Sequence, residues 1–402
     1  MDILVISQYY YPEQFLINEI APELVNKGHN ITVLTGLPNY PEGKVLSDYK
    51  FGKNREEELD GVHIIRCTEV GRHKGPMWLM LNYITYPFFA TIKLKKIKKK
   101  FDVILCYQLS PVIMALPAVK YRKKNKIPLL LYCLDIWPES AQAHIRNDKG
   151  FLYKLISKIS KSIYKSCDLI AVTSEPFIEY MNGVNDISRE KLVYIPQHAG
   201  DSLLNMDLTA ENTQKVNFMY AGNMGAGQTV DVIVNAVAAL KDRDDFLLHL
   251  VGDGSRLDEL KKLASEKGIE DKVIFHGRHK MSEMADFYKT ADVLVITLRG
   301  NNFVGNTLPG KLQTYMTTGK PIIGAINGAA KDVIETSGCG ACVASGDYNG
   351  LARLMADVIE NPEKYDKCGE NARQYFRGNF TKQVFVERLD NQLKELVKVY
   401  KD

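Results

Sequence analysis

The stretch NTLPGKLQTYMTTGKPII (306–323) sets a lysine two residues after a proline, where a helix begins. Pro309 and Gly310 shape the turn, and Lys311 falls in the first helical turn. A cation there opposes the helix macrodipole. The position therefore asks for an anionic partner, and a diphosphate would serve; a plain surface lysine is the other reading. Gly319 reads as the left-handed cap that ends this helix, with Pro321 beyond it. A second stretch, YAGNMGAGQ (220–228), sets Gly222, Gly225 and Gly227 between a strand and a helix. Such glycines let a phosphate approach the backbone and the free N–H groups of the helix start. They would equally serve strand–helix packing, and their G-x-x-G-x-G spacing is not the dinucleotide fingerprint. In VGDGSR (251–256), Asp253 suits either a ribose contact or a cap on the next helix. FHGR (275–278) ends a further strand with Arg278, and its backbone could pair with a base edge.

A different chemistry is offered by LDIWPES, where Asp135 and Glu139 follow a strand. Asp135 could orient a bound substrate and Glu139 accept a hydroxyl proton; both could instead cap the following helix. Asn18 is a further candidate site residue in the first loop. His198 reads as packed or functional, and His29 as structural. Cys339 and Cys342 have redox-motif spacing in a glycine-rich loop with no second pair, and read as structural. No His/Cys cluster has ligand spacing, so no metal or other cofactor is expected.

These residues need rigid elements to hold them. Continuous apolar runs occur at 3–7, 31–36, 62–67, 102–108, 128–135, 169–174 and 192–196. After a polar stretch at 200–215, read as a linker, further runs follow at 216–222, 246–252, 272–277, 292–297, 320–325 and 340–344. Helical patterns separate them, which predicts α/β domains with parallel sheets buried on both faces. Two Rossmann-like domains follow: residues 1–200 and 201–380, with a C-terminal helix over 381–402 crossing back. Ligands bind such sheets at the carboxyl edge, so two facing domains would enclose a cleft.

The chain is 45% hydrophobic and 25% charged, ordinary for a globular protein. Its charge is uneven: residues 1–200 hold 27 Lys/Arg and 20 Asp/Glu, a net +7, whereas residues 201–402 net −3. A basic half implies an anionic partner. MDILVIS lacks the basic start of a signal peptide and reads as a first strand. The scattered cysteines suggest a cytoplasmic protein. From Pro76 the chain is apolar and aromatic, then basic; Arg72 to Lys100 holds eight cations and no acid. Pro87 is expected to break or kink a helix there, which argues against a membrane span. Trp78 beside Lys95, Lys96 and Lys99 suits a segment lying on an anionic membrane. Nucleic acid is the weaker explanation, for want of a fold signature.

Three segments together, SQYYYPEQFLINEIAPELVNKGHNITVLTGLPNYPEG, LYCLDIWPES and LPGKLQTYMTTGKP, resemble the family-4 retaining glycosyltransferases of the GT-B fold. The similarity runs along nearly the whole chain and looks closest to bacterial enzymes adding N-acetyl-L-fucosamine or a related amino sugar to O-antigen or capsule. The resemblance implies a UDP-sugar donor on the C-terminal domain, with the loop from Gly222 through Asn223 to Gly225, and Lys311, facing its diphosphate. FHGR would hold uracil. It also implies an acceptor sugar on a polyprenyl diphosphate, met by the N-terminal domain at the inner face of the plasma membrane. The chain departs from the family twice. Asn306 and Thr314 stand where most members have glutamates, and the first loop of the C-terminal domain has Met224 and no cation. The Pro309-x-Lys311 pattern, Arg278 or Arg299 would have to compensate. A nucleotide-sugar epimerase of the same architecture and a non-catalytic nucleotide-sugar-binding protein are the rival readings.

Overall fold

Runs of Val, Ile and Leu with no polar alternation bury both faces of a strand, which requires helices above and below it. The computed structural model describes residues 1–141, 150–209, 214–300 and 306–401. They form two compact units, Met1–Ile195 with Val386–Asp402, and Pro196–Phe385.

The first unit holds β1 (Asp2–Ile6), β2 (Asn30–Thr35), β3 (Glu56–Leu59), β4 (Val62–Arg66), β5 (Val103–Gln108), β6 (Leu129–Cys133), β7 (Leu169–Val172) and β8 (Leu192–Tyr194). Their order is β3-β4-β2-β1-β5-β6-β7-β8. All pairs are parallel except β3–β4. Sequence patterning misses β3 because EEEL is a charged, partly exposed antiparallel edge, of the kind that blocks edge-to-edge association. The helices are α1 (Ile17–Asn26), α2 (Pro76–Lys96), α3 (Leu116–Asn125), α4 (Phe151–Lys165) and α5 (Pro176–Gly183).

The expected break at Pro87 does not occur: α2 runs unbroken for 21 residues. Tyr86, Pro87, Ala90 and Leu94 are buried along one side and hold the helix through the proline. The opposite side is apolar and exposed: Met77 is 60% accessible, Met80 54%, Ile84 52% and Phe88 59%. Among the described residues no helix is long and apolar enough to cross a membrane.

The second unit holds β9 (Val216–Ala221), β10 (Phe246–Val251), β11 (Val273–Gly277), β12 (Val293–Thr297), β13 (Ile322–Ala325) and β14 (Gly340–Val343). All are parallel, in the order β11-β10-β9-β12-β13-β14. The chain reverses direction across the sheet at β9, so the crevice outside its carboxyl end is the expected ligand position. The helices are α6 (Val230–Ala239), α7 (Leu257–Glu266), α8 (Met284–Thr290), α9 (Gly310–Thr318), α10 (Ala329–Ser337), α11 (Tyr348–Glu360) and α12 (Cys368–Asn379). Side chains of β9 alternate between two cores. Phe218 and Tyr220 enter one and Met219 and Ala221 the other.

Residues 201–209 are not a free linker: Leu203, Leu204 and Leu208 are buried in the second core with Phe376 and Phe380. Finally α13 (Lys382–Lys401) leaves the second unit and from Val386 belongs to the first. There Asp390 meets His29 Nε2 at 2.7 Å, giving His29 a structural role.

Candidate active site

In the second unit a cavity of about 590 Å³ opens at the carboxyl ends of β9, β10 and β11. Six of the residues singled out in the sequence line it: Gly222, Asn223, Asp253, Arg278, Lys311 and Thr314.

Lys311 dominates its electrostatics. Its Nζ lies 3.6 Å from the centre of the Tyr220 ring and donates to Gln228 Oε1 at 3.2 Å. Both partners are neutral. Burial without a counter-charge pulls its pKa down to about 7. The cation is held in place by the helix that carries it. Tyr315, one turn further along α9, accepts a hydrogen bond from Ala221 N at 2.7 Å and donates to Ala221 O at 3.1 Å. That fastens α9 to the last residue of β9, so Lys311 falls against Gly222. A side chain at 222 would meet Lys311 Cε at 2.7 Å, and φ there is +145°. Glycine satisfies both demands.

Other expectations are refined. Asp253 does not cap α7, whose N-cap is Arg256; its Oδ1 accepts from Gly254 N at 2.7 Å, at the cavity wall. Gly225 and Pro309 do not line the cavity. Gly225 accepts from Gln228 N in the loop turn, and Pro309 is the N-cap of α9. Met224 is fully buried in the core, so it anchors the loop without facing a ligand. Arg299 braces the same loop from behind, its Nη2 donating to Ala226 O and its backbone N to Gly227 O. Of the two second-choice cations, only Arg278 lines the cavity. Thr314 lines it, with its hydroxyl bonded back to Gly310 O. His279, Met281, Met284 and Tyr288 also line it and were not singled out, because short apolar patterning does not distinguish a cavity wall from a core. The expected left-handed cap of α9 is present, with Gly319 at φ +73°.

In the first unit, Asp135 Oδ2 accepts from Ser110 Oγ at 2.7 Å, and Ser110 Oγ accepts from Trp137 Nε1 at 3.0 Å. Glu139 is buried; desolvation raises its pKa against hydrogen bonds from Tyr180 and Tyr153. Residues 142–149, which follow, lie outside the described residues. Asn18 donates to Glu13 O at 2.6 Å and braces the first loop.

Sequence reasoning missed a buried polar cluster beside them. Glu69 accepts from Gln8 and from Asn39 Nδ2, while Glu13 Oε1 accepts from the N–H of Asn39 at 2.7 Å and of Tyr40 at 2.6 Å. Burial raises the Glu69 pKa and pushes Glu13 up to about 7. Two glutamates 56 positions apart carry no spacing signal that would have paired them. Of the membrane candidates, Trp78 packs on His73, Lys99 pairs with Asp2 at 2.9 Å, and Lys95 and Lys96 are exposed in the last turn of α2. Cys339 and Cys342 are free thiols whose pKa values burial raises to about 11 and 12, which suits structural residues. Among the described residues no cluster of three His, Cys, Asp or Glu is placed to hold a metal.

Comparison with known proteins bears on the family and the fold. The Glycosyltransferase Family 4 model matches residues 15–197, and the Glycosyl transferases group 1 model matches residues 205–375. The chain is 23% identical to an uncharacterized glycosyltransferase, MJ1607, of Methanocaldococcus jannaschii, over 95% of this chain and 92% of that one. It is 22% identical to the putative colanic acid biosynthesis glycosyl transferase WcaI of Escherichia coli K12, over 98% and 100%. Among solved structures, Anabaena Alr3699/HepE in complex with UDP superposes with a TM-score of 0.70 at 15% identity, over 98% of this chain and 100% of that one. The lipopolysaccharide outer core galactosyltransferase WaaB superposes with a TM-score of 0.69 at 16% identity, over 98% and 99%. With a glycosyltransferase family matched on each half and the fold shared along the whole length, the chain is a GT-B glycosyltransferase.

Proposed function

We propose that this glycosyltransferase moves an amino sugar, with retention, from a UDP-sugar to a sugar on a polyprenyl diphosphate. It would work peripherally at the inner face of the plasma membrane, in capsule or O-antigen assembly. The observation that carries the donor half is the Lys311 ammonium, half-buried with only neutral partners beside a glycine loop. An unpaired buried charge is costly, and a diphosphate would supply the missing counter-charge. The solved neighbour HepE holds UDP and, in another complex, UDP-glucose. A relative from Bacillus anthracis, 26% identical over 43% of this chain, is named N-acetyl-alpha-D-glucosaminyl L-malate synthase, which supports an amino sugar.

In this reading the leaving group is already a diphosphate, so the protein has to stabilise developing negative charge and position the acceptor hydroxyl. Lys311, Arg278 and the first N–H groups of α9 meet the charge, without a metal. Asp135, aligned by Ser110, orients a sugar, and Glu139 accepts the hydroxyl proton. The exposed apolar side of α2, with Lys95, Lys96 and Lys99 near its end, rests on the anionic membrane that carries the acceptor.

A donor screen tests this. The protein is incubated with UDP-amino sugars, with and without a polyprenyl-diphosphate-linked sugar, and products are followed by mass. A heavier lipid formed only when both are present, and unaffected by a chelator, is expected. Isomerised donor without acceptor would replace this reading with an epimerase. Binding without turnover would replace it with a non-catalytic role. Lys311→Ala should weaken UDP binding tenfold or more; unchanged affinity would remove Lys311 from the site.

A further inference from the structure

A second cavity, of about 330 Å³, lies in the first unit where the end of α2 packs on α3. Three lysines line it, Lys95, Lys120 and Lys124, together with Thr91, Tyr121 and Asn125. Three neighbouring cations are already matched, while Lys96, Lys98, Lys100, Lys123 and Lys126 are exposed and do not line the cavity. Lys93 pairs with Glu56, Lys99 with Asp2, and Arg122 with Asp168. The three lysines of the cavity have no carboxylate within ion-pair distance among the described residues. Lys95 and Lys124 lie in the last turns of their helices, where a cation offsets the macrodipole. Lys120 is mid-helix, where that explanation fails.

The cavity adjoins the exposed apolar side of α2. Phe88, Ile92 and Lys95 follow one another at helical spacing, so the stripe that begins at Met77 ends at the cavity's cations. A surface that is apolar along its length and triply cationic at one end is complementary to an amphiphile with an anionic head. Lysine binds phosphate as a point charge, and three such charges match a dianion better than a monoanion.

We propose that this cavity is a headgroup site for an anionic membrane lipid bearing a terminal phosphate. The bound lipid would fix where α2 rests on the bilayer. The inference deepens the membrane contact proposed above and is independent of the sugar donor.

Vesicle flotation tests it, with phosphatidate and phosphatidylglycerol vesicles matched in surface potential. Phosphatidate should bind the protein roughly fivefold more tightly, the fold-change that corresponds to one added lysine contact of about 1 kcal/mol. Lys120→Gln with Lys124→Gln should erase that preference. Lys98→Gln with Lys100→Gln removes the same charge outside the cavity, and should weaken both vesicles equally. Denaturant unfolding followed by circular dichroism, measured on each variant, reports that the first unit is folded. Equal binding to the two vesicles, or equal losses in the two variant pairs, would overturn the headgroup site and leave a general electrostatic contact. Binding to neither vesicle would overturn the membrane contact as well. Glycerol phosphate binding that depends on Lys120 and Lys124, without vesicle binding, would reassign the cavity to a soluble phosphate and overturn the lipid.

Discussion

After β1 the chain continues as Ser7-Gln8-Tyr9, and after β9 as Gly222-Asn223-Met224. Both tripeptides leave the carboxyl end of the strand at which a parallel sheet reverses direction. Around the first, side chains fill the space: Gln8 and Tyr9 bond to Asn82, Gln8 also reaches Glu69, and the Tyr9 ring stacks on Phe15. Around the second, a glycine leaves room that one lysine enters and an open cavity adjoins. The buried charges are opposite in kind. Glu13 and Glu69 are carboxyls pushed towards protonation, and Lys311 is an ammonium pushed towards neutrality. One topology thus yields a filled polar core, bonded largely to itself, at one sheet edge and a cation with only neutral partners at the other. The residue type directly after the strand separates them.

The sharpest way to break that contrast is Gly222→Val. It adds a side chain into Lys311 at a φ that costs ~1–3 kcal/mol for other residues. UDP affinity, followed by calorimetry, should fall by about a hundredfold or more. The complementary change, Glu69→Ala, leaves Gln8 and Asn39 without their shared acceptor. It should lower the stability of the first unit by about 2–4 kcal/mol in denaturant unfolding, with UDP affinity unchanged. If donor affinity falls with it, the two edges are not independent.

The pH dependence should also separate them, with opposite signs. Glu13 has a folded pKa raised from 4.5 to about 7. Its contribution is fully present below pH 4.5 and is lost as pH rises to 7. Lys311 has a folded pKa lowered from 10.5 to about 7. The unfolded chain binds the extra proton between pH 7 and 10.5, so stability there rises with pH, by at most about 1.4 kcal/mol per unit. UDP affinity should run the other way over that range, falling as the ammonium is lost, and Lys311→Gln should flatten the profile. Titration of UDP binding from pH 6 to 9 checks the sign. The smallest effect belongs to the exposed Lys93–Glu56 pair: Lys93→Gln should change stability by under ~1 kcal/mol.

The strands were legible because a parallel sheet buried on both faces writes itself as an uninterrupted apolar run, as in Leu129–Cys133. The antiparallel edge Glu56–Leu59 left no such trace. Pro87 misled because a proline removes one hydrogen bond, whereas burial of Tyr86, Ala90 and Leu94 acts over more than two turns of α2. Leu203, Leu204 and Leu208 sat in polar company, so their packing on Phe376 and Phe380, far along the chain, had no local signature. In the cavity of the second unit, Lys311 and Gly222 were legible separately, each through a local conflict with its surroundings. Their contact depends on Tyr315 meeting Ala221, a pairing 94 residues apart that only the folded chain displays.

That tyrosine has one more consequence. Because its hydroxyl ties the backbone of Ala221 in both directions, the position of Lys311 is inherited from the sheet and owes nothing to Thr314, whose hydroxyl turns back onto its own helix. The cavity wall can therefore be rewritten at 314 while the charge stays where it is. A scaffold arranged in this way separates what it holds constant from what it can exchange: on the proposed reading, donor preference can change at 314 while the lysine meant for the diphosphate stays in place.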